Sequence, residues 1–237
     1  MCAPPPRWRK VLLKLSGEAL AGPSGEAFCW ETCRPILEEI GALRERSVRV
    51  AVVVGGGNVY RGREGLFSRE TGDRIGMAAT VLNGLALREF FTKLDIPCLL
   101  QSAHPLPTVG PVDPIAAREA LERGTAVVFC GGTGLPYFST DTAAALRALE
   151  VGAELLLKAS TIDGVYDSDP HKNPSARRLD RISCSDALAG KLEFMDPEAI
   201  CLCRNNHLPA VLFSLERRGA LVDIVDGGTV GTTLLPE

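Results

Sequence analysis

The sequence predicts an α/β protein: a three-layer αβα sandwich built on a mostly parallel central sheet. Short apolar runs recur along the 237 residues. They are continuous, where a half-exposed strand would alternate, so they suit strands buried on both faces. Helix-like segments alternate with the runs, and strand–helix alternation gives a parallel sheet covered on both sides.

Each element has its own warrant. Residues 1–9, "MCAPPPRWR", carry three prolines and no apolar core, and read as a flexible arm without the features of a signal peptide. The first strand is "KVLLKLS" (10–16). The helix at 29–46 carries Cys33, Ile36, Leu37, Ile40 and Leu43 at helical spacing. "VRVAVVV" (48–54) is the second strand, and residues 76–94 form a helix apolar over much of its surface. "PCLLQSA" (97–103) follows, then a helix at 113–124 that opens on Asp-Pro and closes on Gly124. "TAVVFCG" (125–131) leads to a helix at 139–152, with a Ser/Thr/Asp start and Gly152 at its end. "AELLLKAS" (153–160), a polar, proline-rich exposed loop at 167–181, a helix at 196–206 and "LPAVLFS" (208–214) complete the series. No linker divides residues 10–237, which read as a single domain.

Composition excludes several classes. A net charge of −3 and 5% aromatic residues argue against nucleic acid or an anionic membrane as partner. No apolar run reaches membrane-spanning length. Of eight cysteines, Cys29/Cys33 and Cys201/Cys203 lack metal-knuckle spacing, and three histidines stand apart. Free, buried thiols in a cytoplasmic protein are the expectation.

Chemistry gathers at the carboxyl ends of the strands, where open α/β sheets bind ligands. Lys14 lies inside an apolar strand, two residues before Ser16-Gly17. It either meets an anion or snorkels from an edge strand. "GGGNVYRG" (55–62) follows the second strand. Its glycines permit positive φ and direct N–H contact with an anion, and Arg61 can fork onto a phosphate. "CGGTGLPYFSTD" (130–141) supplies glycines, hydroxyls and a helix N-terminus; Asp141 there either caps the helix or orients a lysine. Lys158 repeats the Lys14 pattern, ahead of Tyr166 and Asp169. P-loop, dinucleotide-fold, nucleophile-elbow and zincin motifs are absent from the sequence. Two lysines among glycine loops suit phosphoryl transfer with Mg²⁺ from solution.

Together, "KVLLKLSGEALAG", "VVVGGGNVYRG", "GDRIGMAATVLNGLAL", "GGTGLPYFSTDTAAALRALEVGAELLLKAS", "DGVYDSDPHKNP" and "MDPEAICLCRNNHLP" resemble the bacterial uridylate kinase family of the amino-acid kinase superfamily. The resemblance spans nearly the whole chain. It implies the amino-acid kinase fold, with an acceptor-binding N-terminal part and an ATP-binding part from about residue 150. The implied reaction is transfer of the ATP γ-phosphoryl group to UMP, giving UDP and ADP with Mg²⁺. The matching positions imply Lys14, Leu15, Ser16, Gly17, Gly57 and Arg61 at the ATP phosphates, and Ser160, Tyr166 and Asp169 at adenosine. They imply Gly56, Asp73, Thr133, Gly134, Leu135, Pro136, Tyr137, Phe138, Ser139 and Thr140 at UMP. Lys14 and Lys158 become the catalytic cations and Asp141 and Asp196 the acids that organise them or Mg²⁺, an ion held mainly by nucleotide phosphates without a dedicated protein site. A homohexamer activated by GTP and inhibited by UTP is also implied, and the apolar helix at 76–94 fits a subunit interface as well as it fits a core. The segment "AGPSGEAF" (21–28) departs from the family pattern in its fewer glycines, and "HPLPTVGPVDP" (104–114) in its prolines and missing basic residues. A sister kinase with another acceptor, or a non-catalytic nucleotide-binding relative, are the alternatives.

Overall fold

A computed structural model describes residues 5–60, 66–168, 173, 175–192 and 194–237. The elements in order are β1 (Lys10–Leu15), a 3₁₀ turn (Gly17–Leu20), α1 (Trp30–Glu45), β2 (Arg49–Val54), α2 (Arg69–Thr92), β3 (Cys98–Ser102), β4 (Gly110–Pro111) and α3 (Pro114–Glu122). They continue with β5 (Ala126–Cys130), α4 (Thr140–Val151), β6 (Leu155–Ser160), β7 (Val165–Tyr166), β8 (Arg178–Leu179), β9 (Arg181–Ser183), α5 (Cys184–Ala189), α6 (Pro197–Asn205), β10 (Ala210–Ser214), α7 (Ala220–Val225) and β11 (Thr232–Leu235). Nine strands form one sheet in the order β4-β3-β5-β2-β1-β6-β10-β11-β9, and β7 and β8 pair separately. Only the β10–β11 pair of the large sheet is antiparallel.

Period-two alternation divides the core between the two faces of this sheet. Val11, Leu13 and Leu15 of β1 pack with Leu37, Ile40 and Leu43 of α1 and with Leu87 and Phe91 of α2. Leu12 of β1 and Leu156 of β6 pack on the other face with the alanines of α4 and with Ala199, Ile200 and Cys203 of α6. The small α4 residues Ala143, Ala144, Ala145 and Ala148 are all fully buried, so this helix lies close against the strands. The same parity places Lys14 and Lys158 on the α4 side. They are register partners on adjacent central strands, and no edge strand is involved.

All six apolar runs form strands and all five helical segments form helices. The differences are local. α2 begins at Arg69, seven residues ahead of the expected start, because Ser68 caps it: its Oγ accepts from Thr71 N at 3.4 Å. An Arg74–Glu70 ion pair of 2.9 Å supports this polar first turn. The stretch expected as loop at 167–181 contributes Arg178–Leu179 to the β7–β8 pair and Arg181 to β9. Asp167 N donates to Arg177 O at 3.0 Å and closes that hairpin. The described cysteines are free, but Cys29, Cys98 and Cys201 are only partly buried, so burial of every thiol is corrected to burial of Cys33, Cys130, Cys184 and Cys203. Residues ahead of β1 touch the body: the amides of Arg7 and Trp8 donate to Val225 O at 3.0 and 3.2 Å.

Candidate active site

The loops after β1, β2, β5 and β6 meet at one sheet edge, as the parallel order requires. A cleft of about 630 Å³ opens there, and its walls include Gly56, Gly57, Asp73, Thr80, Tyr137, Phe138, Ser139, Thr140 and Asp196.

Beside the Ser139–Thr140 wall, around Asp141, stand two ammonium groups. Lys14 Nζ lies 3.0 Å from Asp141 Oδ1. Lys158 Nζ donates to Asp141 Oδ2 and to the Phe194 carbonyl. All three side chains are between 11% and 14% exposed. Lysines on neighbouring strands in register would repel one another in so dry a place. The Asp141 carboxylate between them permits the arrangement. Burial alone would raise its pKa, yet the adjacent Lys14 and Lys158 charges outweigh it and hold the group below the ordinary aspartate range. Burial pushes Lys158 below the usual lysine value despite Asp141. Asp196 is shifted upward by burial and then by the Asp141 charge, and its buried Oδ2 has no hydrogen-bond partner.

Asp141 is therefore not the helix cap. That role belongs to Ser139, whose Oγ accepts from Asp141 N at 3.0 Å and Thr142 N at 3.3 Å. The cap fixes the first turn of α4 and leaves the Asp141 side chain free to turn towards the strands.

The glycine loops are explained by close approach. A Cβ on Gly17 would lie 2.3 Å from Asn58 Oδ1 and 2.5 Å from Gly57 N; one on Gly56 would lie 2.7 Å from Gly76 O. The turn after β1, the turn after β2 and α2 are thus packed backbone against backbone. Positive φ, which Gly55, Gly56 and Gly57 permit, occurs at none of them. The left-handed conformations lie in the third loop, at Gly131, Gly132, Gly134 and Tyr137. A non-glycine residue is strained there unless held. Tyr137 is held by Asp73, whose Oδ2 accepts its amide at 2.7 Å, and the Arg69 guanidinium sits 5.6 Å from its ring.

The remaining expected residues that the structure describes fall into three groups. Thr133, Gly134, Leu135 and Pro136 form the turn leading into the cleft wall; Thr133 Oγ1 both donates to Leu135 O at 3.0 Å and accepts from Leu135 N at 3.1 Å. Leu15, Ser16 and Gly17 end β1 beside the Gly55 turn. Ser160 closes β6 and Tyr166 closes β7, and neither is among the residues that line the cleft. Ser160 Oγ accepts from Ile162 N at 3.3 Å, and Tyr166 donates to Asp163 Oδ1 at 2.9 Å, which raises its pKa. Arg61 and Asp169 lie outside the described residues.

Sequence reasoning overlooked Thr80. It is buried in α2; its hydroxyl accepts from Gly131 N at 2.6 Å and donates to Met77 O at 2.7 Å. It also overlooked Asn58, Asn83 and Arg69. The signal for Thr80 and Asn83 was available as two polar residues, three apart, inside an apolar helix.

The description "Amino acid kinase family" fits residues 9–214 of the chain. A uridylate kinase of Alcanivorax borkumensis is 45% identical over 231 residues, 96% of this chain and 92% of the relative. The chloroplastic uridylate kinase of Arabidopsis thaliana is 42% identical over 98% of this chain and 70% of its own length. Among solved structures, a UMP kinase of Bacillus anthracis superposes with a TM-score of 0.93 at 32% identity, covering 97% of both chains. A uridylate kinase of Archaeoglobus fulgidus gives 0.72 at 29% identity, covering 94% of this chain and 99% of its own.

Proposed function

This chain belongs to the amino acid kinase family and, within it, to the uridylate kinases, and from that membership we propose that it transfers the γ-phosphoryl group of ATP to UMP. The observation that carries the chemistry is the Lys14–Asp141–Lys158 bridge, two buried cations held side by side by the residue that follows Ser139 and Thr140 of the cleft wall. An oxygen of the UMP phosphate attacks the γ-phosphorus, a P–O bond forms, and the bond to the β–γ bridging oxygen breaks to release ADP. The attacking group is already an anion, so no general base is required.

Catalysis then rests on position and charge. Lys14 and Lys158 neutralise the charge that gathers on the transferred group and on the departing ADP. Asp141 keeps both ammoniums aimed at one point. The Gly17 and Gly57 backbones approach the ATP phosphates, together with Leu15, Ser16 and Arg61, while Gly56 approaches the UMP phosphate. Asp73 and the run from Thr133 to Thr140 enclose the nucleoside of the acceptor; Ser160, Tyr166 and Asp169 border the adenosine. A Mg²⁺ ion brought by ATP suits this site, since the Asp196 carboxylate on the cleft wall keeps one buried, unpartnered oxygen. No group of three His, Cys, Asp or Glu side chains among the described residues would hold a metal unaided. Asp196 would therefore supplement phosphate ligands, and the ion would supply charge neutralisation.

A homohexamer, with GTP and UTP as effectors, and a cytoplasmic setting belong to the same proposal. Leu82 on α2 and nearby Val59 and Leu106 are 40–49% exposed, an apolar face suited to a second copy. No helix among the described residues is long and apolar enough to cross a membrane.

The test is ADP release from MgATP with UMP, CMP, a small carboxylate acceptor, or no acceptor. Turnover should require UMP; equal rates with and without it would remove the proposal.

A further inference from the structure

Asn83 is fully buried in α2, on the side packed against the sheet. An apolar residue would cost less to bury there, so its hydrogen bonds carry the explanation. Its Nδ2 donates to Gly55 O at 2.6 Å and to Asn58 Oδ1 at 2.7 Å. Its Oδ1 accepts from Asn58 Nδ2 at 3.0 Å, and the same Asn58 nitrogen donates to Ala27 O at 2.7 Å. The two carboxamides therefore face one another, each as donor and acceptor.

This pair sits where the two phosphate-approaching turns touch. Asn58 Oδ1 and N would lie 2.3 and 2.8 Å from a Cβ on Gly17, and a Cβ on Gly55 would lie 3.2 Å from Gly17 N. The separation of the β1 turn from the β2 turn is thus fixed by one amide clasp anchored in a long helix, with Ala27 tying in the segment between the 3₁₀ turn and α1. In-line transfer between two nucleotides depends on that separation, and a misplacement of about 1 Å can cost on the order of 100-fold in rate.

We propose that Asn58 and Asn83 are positioning residues for phosphoryl transfer, acting as one unit that sets the distance between the β1 turn, which approaches the donor phosphates, and the β2 turn, where Gly57 approaches the donor and Gly56 the acceptor phosphate. The proposal rests on the kinase function above. Neither Asn58 nor Asn83 is among the residues that line the cleft, so loss of the clasp should lower kcat and leave both KM values nearly unchanged.

The experiment compares wild type, Asn58→Ala, Asn83→Ala and the double variant, with ATP and UMP varied separately and thermal unfolding followed in parallel. Each single variant should lose about 10- to 100-fold in kcat while each KM moves less than about threefold. The double variant should be no slower than the slower single one, because the clasp is lost once. Asn58 lies in a half-buried turn, so Asn58→Ala supplies a folded variant even where Asn83→Ala does not. A folded Asn58→Ala with kcat within about twofold of wild type, or losses that multiply in the double variant, would overturn the inference. A kcat loss abolished by assaying each variant equally far below its own melting temperature would also overturn it, as a purely structural effect. Wild type without UMP-dependent turnover would overturn the functional proposal, and this one with it.

Discussion

Replacing Asp141 by asparagine keeps the side-chain shape and removes the charge between two buried ammoniums. In the native protein Lys14 Nζ is 3.0 Å from one carboxylate oxygen and Lys158 donates to the other. Asparagine can accept from one lysine only and presents an NH₂ group to its neighbour. Breaking a buried ion pair by removing one partner costs about 3–5 kcal/mol. At about 2–4 °C per kcal/mol for a chain of this size, the melting temperature should fall by about 6–20 °C at neutral pH. The effect has a pH signature. Asp141 is held below the ordinary value of 3.8, so its folded pKa is depressed. Its contribution is complete above the unfolded value and is lost as pH falls through the folded one. The gap between wild type and Asp141→Asn should stay constant from pH 7 to about 4 and narrow below that. ATP phosphates would replace the missing anion, so ATP should raise the variant's melting temperature more than that of wild type. Differential scanning calorimetry from pH 3 to 8, with and without ATP, measures all three. A fall under about 2 °C at pH 7, or a gap that persists unchanged at pH 3, would refute the bridge as described.

Three other substitutions probe the same edge of the sheet. Lys14→Met should lower kcat by about 100- to 1,000-fold, the scale for losing one preorganised charge at a transition state. Its circular dichroism should match wild type, because Lys158 still pairs with Asp141. Gly17→Ala should cost about 1–3 kcal/mol in denaturant unfolding, since its methyl would stand 2.5 Å from Gly57 N. Thr80→Val removes the acceptor of the Gly131 amide and leaves a buried donor unpaired, worth about 1–3 kcal/mol. It should raise the KM for UMP more than that for ATP in initial-rate kinetics, whereas Thr80→Ser should restore both.

The central strands were readable because burial on both faces writes a continuous apolar run, and Lys14 and Lys158 stood out as charges inside two such runs. Their pairing across adjacent strands was not readable, because register is a tertiary fact. The role of Asp141 stayed open for a related reason: an acid in the first helical turn looks the same whether it caps or reaches across. Ser139 settled the cap, and Asp141 went to the lysines. β4, β7 and β8 have two residues each and β9 has three, too few to set a period. Likewise α5 and α7, at six residues each, fall short of two helical turns. Three consecutive glycines suggested an anion against the backbone and permitted left-handed conformations. The actual demand is close packing of the two turns and α2, which a sequence states in the same letters. The Asn58–Asn83 clasp joins residues 25 apart; Asn83 stood out as a polar residue in an apolar helix, but nothing local named Asn58 as its partner.

The central claim is that two phosphate chains meet over the Lys14–Asp141–Lys158 bridge. A bisubstrate compound joining adenosine to uridine through a pentaphosphate chain tests it most directly, by isothermal titration calorimetry against wild type and Lys14→Met. The account predicts one bisubstrate per protomer, bound at least about 100-fold more tightly than ATP or UMP alone, with most of that advantage lost in Lys14→Met. Binding no tighter than ATP alone, or an affinity indifferent to Lys14, would contradict it.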